Sequence, residues 1–178
     1  MKTRVLGFMA AFCFALAAPA FADKTAGEHV DDGTITTEIK ASLLGGKDIP
    51  STDINVEVYR GHVLLSGFVT KESQKHEAVR LAKEAKGVKE VHDKILVHES
   101  TSMGTKLDDT VLTGKVKAAL VDDKKVEAGQ INVESRGGIV QLAGFVTSEG
   151  ARKQAMEVAK GVSGVKRVED AMYVKPKE

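Results

Sequence analysis

Apolar residues along the chain follow a helical rhythm and then a strand rhythm, and the pair occurs twice. Ile35, Ile39 and Leu43 recur at one-turn spacing and predict a helix with one buried stripe, with Asp32 placed to cap it. Ile54, Val56 and Val58 then alternate with Asn55 and Glu57. Beyond Arg60-Gly61, Val63 and Leu65 resume the alternation, which predicts a hairpin turning at those two residues. Thr70 stands where a second helix needs a cap, and Glu72 in its first turn suits the helix dipole. Ala78, Leu81, Ala82 and Ala85 make the buried stripe of that helix. Gly87, which tolerates left-handed backbone, is expected to stop it, and Val88 to Val97 to supply a last strand.

The same order returns about 77 residues later without an insertion, and about two positions in five are identical. Ile54-Asn55-Val56-Glu57 recurs as Ile131-Asn132-Val133-Glu134, and Gly67-Phe68-Val69-Thr70 as Gly144-Phe145-Val146-Thr147. Leu112, Val116 and Leu120 repeat the first stripe behind a capping Asp109. Gly137-Gly138 repeats the turn, Val140 and Leu142 the return strand, and Thr147 and Glu149 the second cap. Ala155, Val158, Ala159 and Val162 repeat the second stripe, and Gly161, without a counterpart, is expected to end that helix early. The fold class is therefore α+β, in two tandem small modules at 31–97 and 108–174. Each is expected to run helix, strand, strand, helix, strand, with a three-stranded mixed sheet and both helices on one face. Residues 98–107 hold Ser, Thr and Gly without apolar periodicity, as expected of a flexible linker that lets the modules move.

Before the first module, Lys2 and Arg4 precede an apolar run from Val5 to Ala18 and the small-residue end Ala20-Phe21-Ala22, the three parts of a secretory signal over 1–22. That run falls short of the roughly 20 residues a bilayer span needs. Cleavage after Ala22 removes the sole cysteine, Cys13, and with it disulfides, thiolate metal sites and a thiol nucleophile. It also takes the formal charge from +1 to about −1, which offers no basis for nucleic-acid binding. Stacking on bases would need aromatics, and Tyr59, Tyr173, Phe68 and Phe145 are all that remain.

Candidate chemistry is thin. His62, His76 and His92 face Ile139, Lys153 and Glu169 in the other copy, and no histidine pair has the spacing of a metal motif, so they read as surface residues and no metal is expected. Glu57 with Glu134, and Asp93 with Asp170, recur in both copies as paired carboxylates would. The two glutamates nevertheless occupy the polar phase of a strand, where solvent exposure is expected, and no catalytic residue is assigned. Lys115, Lys117, Lys124 and Lys125 gather in and after the first helix of the second module, with Val121 one turn beyond Lys117 and off the core stripe. Basic residues around an exposed apolar one suit an anionic membrane surface, although Asp122 and Asp123 interrupt them. A second basic group is Arg152, Lys153 and Lys160.

The run Val63-Leu64-Leu65-Ser66-Gly67-Phe68-Val69, followed by Gly87-Val88-Lys89-Glu90-Val91, resembles the signature of the BON domain, and it occurs again at 140–146 and 164–168. Gly67, Gly87, Gly144 and Gly164 are its structural glycines. The resemblance implies a periplasmic protein of osmotic or envelope stress, without cofactor or small-molecule substrate, that binds phospholipid surfaces. The alternative it implies is a chaperone or scaffold for exported protein clients.

Overall fold

Helix α1 (Asp32–Gly45) forms around Ile35, Ile39 and Leu43, which are buried completely. Burying a side chain of this size contributes about 1.5–3 kcal/mol, so the stripe anchors the helix despite its Thr and Gly content. Strands β1 (Ile54–Tyr59) and β2 (His62–Val69) pair antiparallel, with Val56 opposite Leu65. Their two-residue turn has positive φ at both positions, Arg60 and Gly61, a twist that matches the strands it joins. After α2 (Glu72–Glu84), strands β3 (Glu90–Asp93) and β4 (Leu96–Val97) run parallel to β2, which is thereby the central strand. The apolar face of the sheet and the stripes of α1 and α2 share one core with Ala78, Ala82 and Ile95. These observations are made in a computed structural model that describes residues 31–98 and 103–175; the expected signal at 1–22 lies outside them.

The second module repeats the plan with α3 (Met103–Asp122), β5 (Asn132–Arg136), β6 (Ile139–Val146), α4 (Glu149–Lys160) and β7 (Arg167–Val174). Its sheet has β6 in the centre, antiparallel to β5 and parallel to β7, under a core of Leu112, Val116, Leu120, Ala155 and Ala159. The fold is thus α+β, with four helices and two mixed sheets.

Several local expectations change. The linker expected at 98–107 is helical from Met103 onward, so α3 is 20 residues long against 14 for α1. Asp32 and Asp109 do not cap helices. Asp32 accepts hydrogen bonds from the N–H groups of Arg60 and Gly61 at 2.6 and 2.8 Å, and Asp109 from Gly137 and Gly138 at 2.8 and 3.1 Å. Each therefore ties a hairpin turn to the first helix and satisfies N–H groups that a tight turn leaves unpaired. The second helices begin one residue later than expected. Ser148, not Thr147, caps α4 by accepting from Ala151 N–H, while Lys71 occupies the cap position of α2. The last strand of the first module is broken between Asp93 and Leu96, where the Asp93 carboxylate accepts from Ile95 N–H.

The largest departure concerns the faces of the sheets that carry no helix. They pack against each other. Leu64, Ala143, Phe145 and Ala171 form a third buried cluster with Tyr59 and Tyr173, and it joins residues of both modules. The modules therefore meet along a seam, a contact that the composition of the linker left open.

Candidate functional site

The seam carries a pseudo-twofold relation that the repeat makes legible. Tyr59 lies with its ring 5.6 Å from that of Phe145; the equivalent positions are Arg136 and Phe68, and the Arg136 guanidinium sits 5.4 Å above the Phe68 ring. One aromatic pair thus faces its cation–π counterpart. Arg136 also pairs with Asp53 at 2.9 Å, and Asn55 donates to Glu134. Gln141, buried to 3% exposure, accepts from Gly67 N–H and donates to the Lys94 carbonyl, both at 2.6 Å. Its equivalent Leu64 lies in the apolar cluster instead. One half of the seam is therefore hydrogen-bonded and the other greasy.

Glu57 and Glu134 point into this seam, each towards a glycine of the other module. A Cβ at Gly144 would lie 3.2 Å from Glu57 Oε2, and a Cβ at Gly67 3.2 Å from Glu134 Oε2. Burial raises the Glu57 carboxyl to about 6, against a smaller opposing pull from Lys40. Burial also raises Glu134, opposed by the Asn55 hydrogen bond and by Arg136 and Lys117, with Asp53 adding to the rise. Both glutamates are largely covered, and the solvent-facing placement expected for them is wrong. The sequence shows only that they alternate with core residues; it cannot show that a second sheet covers them.

These raised carboxyls give a pH prediction with a definite sign. Between pH 4.5 and about 6 the folded chain keeps the Glu57 proton that the unfolded chain has released, so stability falls as pH rises through that window. The contribution is about 2 kcal/mol at most. Urea unfolding of the wild type and of Glu57→Gln at either end of the window reads it out. The variant is the more stable of the two near pH 7, and the difference between them shrinks below pH 4.5. An equal difference at both pH values would remove the buried carboxylate from the account.

The lysines named from sequence sit where α3 meets solvent. Leu107, Val111 and Val121 are exposed by 70, 58 and 71%. At 100° per residue they fall with Gly114 and Ala118 in an arc of about 80°, with Lys115 and Lys117 about 40° beyond its two edges. The expected patch therefore extends to Leu107 and Val111, whose signal was a second apolar stripe on α3, off the core stripe. Lys117 also acts on Glu134 across the margin of the seam. Lys115 lines a cleft of about 330 Å³ with Val111, Gly138 and Lys166. Lys124 and Lys125 follow the helix, exposed, and Asp123 between them and the helix is spent on Lys125 N–H and Gln154. Asp108 and Asp122 remain exposed beside the stripe. On α1 the positions of Val111 and Gly114 are Thr34 and Thr37, while Leu44, 76% exposed, stands in the place of Val121, so among the described residues α1 keeps one end of the stripe and lacks its middle. In the second basic group Arg152 is paired with Asp170 and Glu149 and Lys160 with Glu157, while Lys153 is exposed.

His62, Glu90 and His92, placed apart in sequence, come together because β2 and β3 are parallel in a register that sets His62 beside Glu90. The one signal available was Glu90-Val91-His92, two polar residues on the same face of a strand. Gly87 and Gly164 both have positive φ, 88 and 103°, between a second helix and the last strand. No helix among the described residues is long and apolar enough to cross a membrane.

Two helices over one face of a β-hairpin extended by a parallel third strand, duplicated in one chain and joined back to back, define a tandem α+β module protein. The BON-domain family model matches residues 31–99 and 108–176, and the chain belongs to that family. It is 39% identical over 151 residues to osmotically-inducible protein Y of Escherichia coli (strain K12), covering 84% of this chain and 75% of that one. It is 34% identical to the outer membrane lipoprotein DolP of Haemophilus influenzae, covering 82% and 75%, and 32% identical to a 21 kDa hemolysin of Actinobacillus pleuropneumoniae over the same shares.

Proposed function

We propose that this chain is a non-catalytic protein of the bacterial periplasm, acting in envelope stress, and that the outer face of α3 meets phospholipid headgroups. The carrying observation is the exposed stripe of Leu107, Val111 and Val121 between Lys115 and Lys117; on the described part of α1 only Leu44 keeps an exposed apolar place, with Thr34 for Val111 and Glu38 for Lys115. An apolar strip flanked by lysines suits a helix lying in an anionic interface: the strip enters the headgroup layer while the ammonium groups stay with the phosphates. The cleft next to Val111 holds Lys115 and Lys166 together with Asp108 and Asp109, so its charges balance and the basic contact rests on the lysines that flank the strip. Relatives named for osmotic induction and for the outer membrane support the same setting.

The chaperone reading has less support. Clients with exposed apolar segments would need a greasy cradle, and Phe68, Phe145 and the clusters around them are spent inside the molecule. Catalysis by Glu57 and Glu134 would require a substrate to enter the seam that covers both.

Co-sedimentation with neutral and anionic vesicles at low and high salt tests the proposal. Binding to anionic vesicles is expected, weakened by salt. Lys117 is linked to Glu134, so the charge reversals are best placed at Lys115→Glu with Lys124→Glu. A lysine near an anionic surface is worth about 1 kcal/mol, so the pair weakens binding roughly 30-fold or more. Unchanged binding in that variant would sink the α3 surface. Binding of unfolded exported clients with no vesicle affinity would transfer the function to the chaperone reading.

A further inference from the structure

We infer that His62, Glu90 and His92 form a binding site for a divalent transition-metal ion, with Zn²⁺ the best match. Strands β2 and β3 set His62 beside Glu90, and His92, two residues on, faces the same side of the sheet. Three potential ligand atoms, one from each residue, lie within 4.8 Å of one another. His62 Nδ1 is 3.2 Å from Glu90 Oε2, and His92 Nε2 is 3.6 Å from the same oxygen.

Those spacings suit an ion. Tetrahedral Zn²⁺ with ligand bonds of about 2.0–2.1 Å holds its ligand atoms about 3.3–3.4 Å apart, between the two distances found here. The imidazole rings of His62 and His92 stand nearly parallel, 8° apart with centroids at 6.0 Å, and each brings one nitrogen to the same Glu90 oxygen. Tyr173 of the second module stacks on His92 at 4.2 Å and fixes that ring, which reduces the ordering cost of binding. Two imidazoles and one carboxylate are the donor set of a borderline divalent ion, not of Ca²⁺ or Mg²⁺, which take oxygen. Glu90 is 56% exposed and His62 37%, leaving room for water to complete the coordination.

The second module supplies a built-in contrast. Its equivalent residues are Ile139, Arg167 and Glu169, and Arg167 there bonds Glu169 at 2.8 Å. The site thus belongs to the first module alone. An ion would staple the four-residue strand β3 to β2 at the edge of the seam, where Tyr173 touches its ligand.

Calorimetric titration of the tag-free exported chain with Zn²⁺, near neutral pH in a non-chelating buffer, is expected to show one ion per chain. Binding should raise the unfolding temperature, and a chelator should reverse the rise. His62→Ala and His92→Ala are each expected to weaken binding at least about 100-fold, Glu90→Gln to weaken it clearly, and His76→Ala on α2 to leave it unchanged. Co²⁺ absorption of the wild type reports tetrahedral coordination with nitrogen ligands and does not depend on the variants folding. No binding at about millimolar Zn²⁺, octahedral Co²⁺ only, or affinity that persists in the folded His62 and His92 variants would overturn the site.

Discussion

Gly144→Ala is expected to unfold the second module at temperatures where the wild type is fully native. The residue opens the Gly144-Phe145-Val146 run with φ 141°, and an added Cβ would stand 2.0 Å from the Gln130 carbonyl oxygen. That oxygen belongs to the short 3-10 turn at Ala128–Gln130, so it cannot rotate away as a side chain would. The strained backbone costs about 1–3 kcal/mol by itself, and the clash brings the total to at least about 3 kcal/mol. In a module of this size that lowers the unfolding temperature by on the order of 15 °C. Gly67→Ala in the first module meets Asp53 O at 2.1 Å and is expected to match it. Gly150→Ala makes the control: it sits in α4 with its nearest atom at 3.7 Å, and should stabilise by about 0.5–1 kcal/mol. Thermal unfolding followed by circular dichroism ranks the three. A Gly144→Ala protein within about 0.5 kcal/mol of wild type would mean that the close approach of β6 to that turn is not held in solution.

Gln141→Leu is expected to cost the seam about 2–6 kcal/mol, even though leucine stands at the equivalent position of the first copy. The substitution keeps bulk and removes both hydrogen bonds. Gly67 N–H and the Lys94 carbonyl then face a buried apolar group, each losing about 1–3 kcal/mol. Hydrogen exchange at the Gly67 amide should accelerate strongly while the cores of both modules, built from other residues, keep their protection. Unaltered exchange at Gly67 would argue that the two sheets do not stay in contact. The reciprocal change, Leu64→Gln, places an amide among Ala143, Phe145 and Ala171 and is expected to destabilise through an unpaired polar group.

These expectations concern positions where local pattern and final environment disagree. The stripes Ile35-Ile39-Leu43 and Leu112-Val116-Leu120 could be read directly, because a helix that packs on its own module shows the contact as a repeat of three and four residues. The hairpin turns were legible for a similar reason: Arg60-Gly61 and Gly137-Gly138 needed positive φ and lay between alternating runs. The shift of the cap from Thr147 to Ser148 is a boundary error of one residue, between neighbours that both accept hydrogen bonds. The role of Asp109 was missed because its partners lie 28 and 29 residues away across a turn, outside the reach of any capping rule.

The candidate site divides in the same way. Lys115, Lys117, Val121, Lys124 and Lys125 were found as a cluster close in sequence, whereas Leu107 joined Val111 and Val121 in a stripe once residues 103–107 proved helical. His62, Glu90 and His92 needed the parallel register of β2 and β3, which no run of residues announces. The sequence by itself determined the duplication, the order of elements in each copy and the stripes of the helices, since all of these are local or arise by comparing the chain with itself. Only the tertiary structure decided what covers the second face of each sheet. Polar residues such as Glu57, Gln141 and Asn55 alternate along a strand in the same way whether they meet water or a matching sheet, and only the partner face distinguishes the two.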